Sequence, residues 1–263
     1  MSAPQKPEPP DSRPRRPPRS RRLVFGTGAG LLALIAITWI AQSPAPELHG
    51  PAPPPTKPGD HPPMPVCASA DGTILRADVD GDGHMDEIRD PEREGTITVV
   101  SEEGDPPWWI GLDHALDRQE LASLTTSELE ARGTFGDFDG DGHVDMALFL
   151  SEPHSGDDPV DNMPVHEVRY GPLARDLTSE RVGPIRIGWG GFVYGVRASD
   201  QDGDGRAELE VFQTAGDGGV DHFTGHQDDG GVSVDREVSG FHALSTWRET
   251  EPGWSDFGVC SDE

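Results

Sequence analysis

The sequence predicts a mainly β domain with cation-binding loops at its hairpins, carried behind a membrane-crossing helix and a proline-rich stalk. Three observations predict this. An acidic nonapeptide recurs three times, as DVDGDGHMD from Asp78, DFDGDGHVD from Asp137 and DQDGDGRAE from Asp200, with starts 59 and 63 residues apart. Short runs of apolar and β-branched character, MALFL and LEVFQ, follow the second and third copies, and such runs are strands by length and composition. Finally, residues 23 to 41, LVFGTGAGLLALIAITWIA, are 19 uncharged and mostly apolar positions in an otherwise polar chain.

In chain order, residues 1–22 are a basic leader with seven Lys/Arg against two Asp/Glu, and are expected to be disordered on the cytoplasmic side. Residues 23–41 can cross ~30 Å of hydrocarbon at about 1.5 Å per residue. Arg15, Arg16, Arg19, Arg21 and Arg22 crowd the N-terminal side of this run, so the positive-inside bias sends everything after Ala41 out of the cytoplasm. A cleavable signal peptide is the competing reading. The uncleaved anchor is favoured, because cuts after Ser43 or Ala45 would leave Pro44 or Pro46 as the next residue. The folded part is thus expected to be membrane-anchored in the periplasm or at the cell surface, or secreted if the leader is removed. Residues 42–66 form a linker, with ten prolines between Pro44 and Val66. Such a segment lacks the amide donors for helix or sheet and extends as polyproline II, a spacer on the order of 70 Å.

Residues 67–263 are the expected folded domain, with 13 Lys/Arg against 44 Asp/Glu, a net charge of −31. A surface this negative repels phosphate backbones, which excludes nucleic acid and makes cations the expected partners. The chain has two cysteines, Cys67 and Cys260, at the two ends of this region. Outside the cytoplasm a disulfide between them can persist and would clasp the domain's ends together; two separate buried thiols are the alternative.

The repeated nonapeptide carries the chemistry. Each copy places carboxylates at positions 1, 3, 5 and 9 and glycine at 4 and 6. Alternate side chains of such a loop turn inward, and glycine at position 6 permits the positive φ that wraps the chain around an ion. The carbonyl at position 7, from His84, His143 or Arg206, would add an oxygen. All-oxygen ligation in a flexible loop suits Ca²⁺ better than Mg²⁺ or zinc. An EF-hand is excluded, because its position 12 needs a bidentate Glu and here holds Arg89, Leu148 and Val211.

The segments TFGDFDGDGHVDMALF, TILRADVDGDGHMDEI and VYGVRASDQDGDGRAELEVF resemble FG-GAP or VCBS-type repeats, from about Thr73 to Phe212. The resemblance implies a β-propeller-like assembly in which each repeat is an antiparallel blade and calcium sits in a hairpin of that blade. The implied ligands are Asp78, Asp80, Asp82 and Asp86; Asp137, Asp139, Asp141 and Asp145; and Asp200, Asp202, Asp204 and Glu208, for about three ions. Glu208 and Gln201 depart from the family pattern, and loop 3 is expected to bind more weakly. The length makes about three to four blades where closed propellers need at least four, so that either a degenerate blade lies near GDGGVD at 216–221 or the fold is a partial propeller or another sheet assembly.

Further strands are expected at 96–100, 166–170, 185–189, 192–196 and 232–238, and one short helix over Asp117 to Arg132, where Leu121, Leu124 and Leu129 recur near helical spacing. HFTGH at 222–226 is a weak metal candidate, and Trp108 and Trp109 are a candidate stacking surface. No serine-hydrolase elbow or zinc-protease motif occurs. The function expected is a non-catalytic interaction or adhesion module, structurally stabilised by calcium, with an unidentified protein or carbohydrate partner. The alternatives are a hydrolase or lyase using acids such as Asp157, Asp158, Asp161, Asp221, Asp228 or Asp229, and a purely structural envelope protein.

Overall fold

A computed structural model describes residues 57–101, 109–115, 130–151, 165–188, 191–216, 218–235, 239–243, 253–254 and 256–261. The basic leader, the apolar run 23–41 and residues 42–56 lie outside the described residues, as do Trp108 and the acids Asp157, Asp158 and Asp161. Among the described residues no helix is long and apolar enough to cross a membrane.

Strands dominate, and each acidic loop joins two of them. The first sheet is an antiparallel meander of β1 (Cys67–Ala68), β2 (Ile74–Ala77), β3 (Asp86–Arg89), β4 (Thr98–Val100) and β5 (Trp109–Gly111), in that order. A one-turn helix, α1 (Leu112–Ala115), follows. The second sheet holds β6 (Glu130–Gly136), β7 (Asp145–Ser151), β8 (Val165–Arg169), β9 (Val182–Arg186), β10 (Val193–Ser199), β11 (Glu208–Gly216), β12 (Gly219–Asp228) and β13 (Gly231–Val234), in the order β10-β11-β12-β13-β9-β8-β7-β6. A short β14 (Gly240–Ala243) pairs with the first half of β12, and β13 pairs with the second half. β6 and β10, the ends of this path, lie side by side, so the sheet is barrel-like and nearly closed. Gly136 lies at this close approach: a Cβ there would stand 2.8 Å from the Cβ atoms of Ala198 and Ala207.

Antiparallel neighbours run from β2 to β5, from β6 to β9 and from β10 to β13, and each run begins with one acidic loop. The second and third runs are fused where β13 pairs with β9 in parallel, through Val232 with Ile185 and Ser233 with Arg186. The described strands therefore make two sheets and do not define a count of separate blades. Of residues 216–221, Gly216 pairs with Gly219 in the hairpin between β11 and β12, and Gly219 to Asp221 belong to β12.

The expected helix over Asp117 to Arg132 needs correction. Residues 117–129 lie outside the described residues, but Glu130, Ala131 and Arg132 are strand, paired with Ser151, Leu150 and Phe149 of β7. A strand partner satisfies these backbone groups, and tertiary pairing overrides the weak helical periodicity.

β7 explains how two cores share one wall. Every residue of DMALFLS is buried. With a side-chain period of two, Met146, Leu148 and Leu150 enter a core with Leu75, Ile88, Val99 and Ile110 of the first sheet, while Ala147 and Phe149 enter a second core with Val168, Val196, Leu209 and Val232. Cys67 and Cys260 form the expected disulfide. Beside it, Ala68 donates to the Gly258 carbonyl and Cys260 to the Ala68 carbonyl, at 2.9 Å each, so the chain's last described segment is laid against β1.

Candidate metal centres

The three loops are built alike. Position 1 follows the last residue of a strand, Ala77 of β2, Gly136 of β6 or Ser199 of β10, and position 9 begins the next strand, as Asp86, Asp145 or Glu208. The hairpin register closes each loop, pairing Ala77 with Asp86, Gly136 with Asp145 and Ser199 with Glu208. In between, glycines 4 and 6 take positive φ: 68° and 88° at Gly81 and Gly83, 78° and 89° at Gly140 and Gly142, 77° and 89° at Gly203 and Gly205. Side chains other than glycine rarely adopt that conformation.

The carboxylates organise this turn through local hydrogen bonds. The N–H of position 6 donates to position 1 in each loop: Gly83 to Asp78 at 3.0 Å, Gly142 to Asp137 at 2.8 Å and Gly205 to Asp200 at 3.1 Å. The N–H of position 5 donates to Oδ1 of position 3 (Asp80, Asp139, Asp202) at 3.2, 3.2 and 3.0 Å. His84, His143 and Arg206 donate their N–H to Oδ1 of Asp82, Asp141 and Asp204 at 2.8, 3.0 and 2.8 Å. The N–H of position 2 donates to position 9: Val79 to Asp86 at 3.0 Å, Phe138 to Asp145 at 2.8 Å and Gln201 to Glu208 at 2.6 Å.

One oxygen from each of positions 1, 3 and 9 then comes together. Ligand atoms of Asp78, Asp80 and Asp86, of Asp137, Asp139 and Asp145, and of Asp200, Asp202 and Glu208 lie within 4.8 Å of one another. Among the described residues no other His, Cys, Asp or Glu side chains gather three at a time in this way. The position-5 acids Asp82, Asp141 and Asp204 stand outside these triplets, on the same loops. His222 and His226 are on β12, a strand; His226 lies 3.9 Å from Glu208 and 3.5 Å from Asp235. Asp228 is held by the Ser233 hydroxyl, the Gly230 N–H and Arg186, and these bonds lower its carboxyl to about 2.

Burial grades the loops. Position 9 is buried in all three, Asp145 completely. Burial, reinforced by the neighbouring acids, pushes the Asp86 and Asp145 carboxyls up to about 7. Asp80 and Asp137 are raised for the same first cause. Val79 and Phe138 at position 2 insert into the cores, whereas Gln201 in loop 3 is exposed, together with Asp200, Asp202 and Asp204.

Residues far from the motifs complete the site, and the sequence reading did not single them out. Gly171 donates to Asp145 Oδ1 at 2.7 Å, and Leu173 to the Val79 carbonyl at 2.9 Å. Ala207 of loop 3 donates to the Asp137 carbonyl of loop 2 at 2.7 Å, which places these two loops side by side. The end of the proline-rich segment lies across loops 1 and 2: Gly59 donates to the Asp80 carbonyl at 2.8 Å and His61 to the Gly81 carbonyl at 3.2 Å, and Pro63 faces Gly142. A cleft of about 220 Å³ opens between residues 57–60 of that segment and Tyr170, Ser179 and Arg181. Arg175 donates to Asp80 and Asp82 at 3.1 and 3.5 Å, and Arg181 to Asp139 and Asp141 at 3.0 and 2.8 Å. Two arginines in LARDLTSER are unremarkable in sequence; only their scarcity in so acidic a domain was a signal.

Fold and site together define a mainly β domain, clasped by a disulfide, with three acidic hairpin loops whose carboxylates can hold a metal ion. Comparison of the chain with protein-family models, with curated proteins and with solved structures gives no match.

Proposed function

We propose that this protein is a membrane-anchored, extracytoplasmic calcium-binding β-repeat protein of the FG-GAP or VCBS type, and that its ions stabilise a non-catalytic interaction module. The observation that carries the calcium reading is the threefold recurrence of one geometry, with positions 1, 3 and 9 converging in each hairpin and position 9 buried. A buried carboxylate beside two others is costly unless a cation neutralises it. The donor set is oxygen only, which fits a hard divalent ion. Asp78, Asp80 and Asp86, Asp137, Asp139 and Asp145, and Asp200, Asp202 and Glu208 would hold about three ions. When bound, the ion supplies charge neutralisation and cross-linking of the loop, and no reaction chemistry is asked of it. The anchor reading rests on the apolar run and its arginines. Phe241, 66% exposed on β14, is an apolar feature suited to a protein or carbohydrate partner.

Calcium titration of the full chain by calorimetry tests this directly. About three ions bind, and Asp139→Ala removes one of them. Absence of binding at about 10 mM calcium, ten times the weak end of extracellular affinities, would overturn the reading.

Protons accompany the metal. An acid raised in the folded chain stabilises folding most below its unfolded value of about 4, and that contribution is lost as pH rises through about 7 at Asp86 and Asp145. The metal-free domain therefore weakens across this window, and calcium binding near pH 7 expels the protons still held. Binding heats should vary with the ionisation enthalpy of the buffer. Identical heats in all buffers would show both acids already ionised before calcium arrives.

A further inference from the structure

Resting on the calcium reading, we infer that Arg175 and Arg181 are built-in competitors of the cation at loops 1 and 2, while among the described residues no lysine or arginine has that role at loop 3. The observation is a division of labour among carboxylate oxygens. In loops 1 and 2, Oδ1 of positions 3 and 5 accepts the loop's own N–H groups: Asp80 from Asp82, Asp82 from His84, Asp139 from Asp141 and Asp141 from His143. The Oδ2 atoms accept no backbone N–H, which leaves those of position 3 open to a cation, and a guanidinium already occupies them together with Oδ2 of position 5. Arg175 Nε and Nη2 reach Oδ2 of Asp80 and Asp82 at 3.1 and 3.5 Å, and Arg181 Nη1 and Nη2 reach Oδ2 of Asp139 and Asp141 at 3.0 and 2.8 Å.

Both arginines come from one short stretch that is also bound to the loops through Gly171 and Leu173, so the fold itself delivers them. Loop 3 has the same Oδ1 pattern, at Asp202 and Asp204. Among the described residues no lysine or arginine pairs with Asp200, Asp202 or Asp204. The arrangement holds loops 1 and 2 in shape without metal, since a planar guanidinium spans two carboxylates and bridges positions 3 and 5. The same contact must be given up when the ion takes those oxygens. Cation uptake at loops 1 and 2 is then an exchange of one positive group for another, an exchange that no described lysine or arginine imposes at loop 3. This makes the affinity at the first two loops a difference between two interactions, set by the arginines as much as by the acids.

Calcium titrations of the full chain and of Arg181→Gln, Arg181→Lys and Asp139→Asn, with the double variant Arg181→Gln/Asp139→Asn, test the exchange. Arg181→Gln should tighten one of the bound calcium ions by roughly tenfold, the scale of two charge-assisted bonds at a half-exposed pair. It should also lower the metal-free melting temperature. The tightening should vanish in the double variant, which ties it to loop 2. Arg181→Lys should fall between, because an ammonium keeps the charge without the bidentate fork. Arg175→Gln offers an independent reading at loop 1. Unchanged or weaker calcium binding in both glutamine variants would overturn the exchange and leave the arginines as orienting partners of the ligands. Failure of every protein, wild type included, to bind calcium would instead remove the calcium reading and the exchange with it.

Discussion

Heated in about 10 mM calcium, the full chain should lose its β structure at a temperature on the order of 20 °C higher than in EDTA. The magnitude follows from mass action. A site with free ligand at 100 times its dissociation constant adds about 2.7 kcal/mol, and three such sites act on one cooperative domain. A domain of this size gains roughly 2 to 4 °C per kcal/mol. The effect is large because the metal-free loops gather acids that repel one another, with Asp86, Asp145 and Glu208 in buried positions. Asp139→Ala should retain about two thirds of the shift if the sites act independently. Circular dichroism melts that coincide with and without EDTA would refute structural calcium and leave the loops as turns closed by their own hydrogen bonds and arginines.

Removal of the disulfide should cost nearly as much. Cys67 and Cys260 are 193 residues apart in sequence, and their bond closes almost the whole domain. On the chain-entropy account a loop of this length contributes about 5 kcal/mol by restricting the unfolded chain. Cys67→Ser/Cys260→Ser should therefore melt on the order of 10 to 20 °C lower than the oxidised wild type in the same calcium. Reduced wild type should match the variant. The bond also secures a packing feature, because the segment it ties down includes the Gly258 and Cys260 contacts with β1 and follows Trp254, buried in the first core. An unchanged melt would mean that these contacts hold the termini without the covalent link.

The loops were legible in the sequence because everything that shapes them is local. Asp78, for instance, receives its hydrogen bonds from residues four and five positions later, and glycines 81 and 83 supply the turn. Strands β4, β7, β8, β10 and β11 were also foreseen, their apolar runs being long enough to show. The helix expected over 117–132 shows the limit of that logic. Leucines near helical spacing carry a modest preference, and for Glu130 to Arg132 the open edge of β7 outweighs it.

What the sequence by itself determined is the inventory: an acidic β domain, three like loops that present carboxylates at fixed spacing, and two cysteines at its ends, whose pairing the structure then showed. Such features rest on backbone geometry over fewer than ten residues, or on the lack of any other partner. Only the tertiary structure decided that β7 is shared between two cores, that β13 joins β9, and that Gly171, Arg175 and Arg181 serve loops 26 to 95 residues distant in the chain. A side chain's charge is written in the sequence, but the acid it neutralises is chosen by which strands pair, and that choice depends on burying the whole apolar set at once.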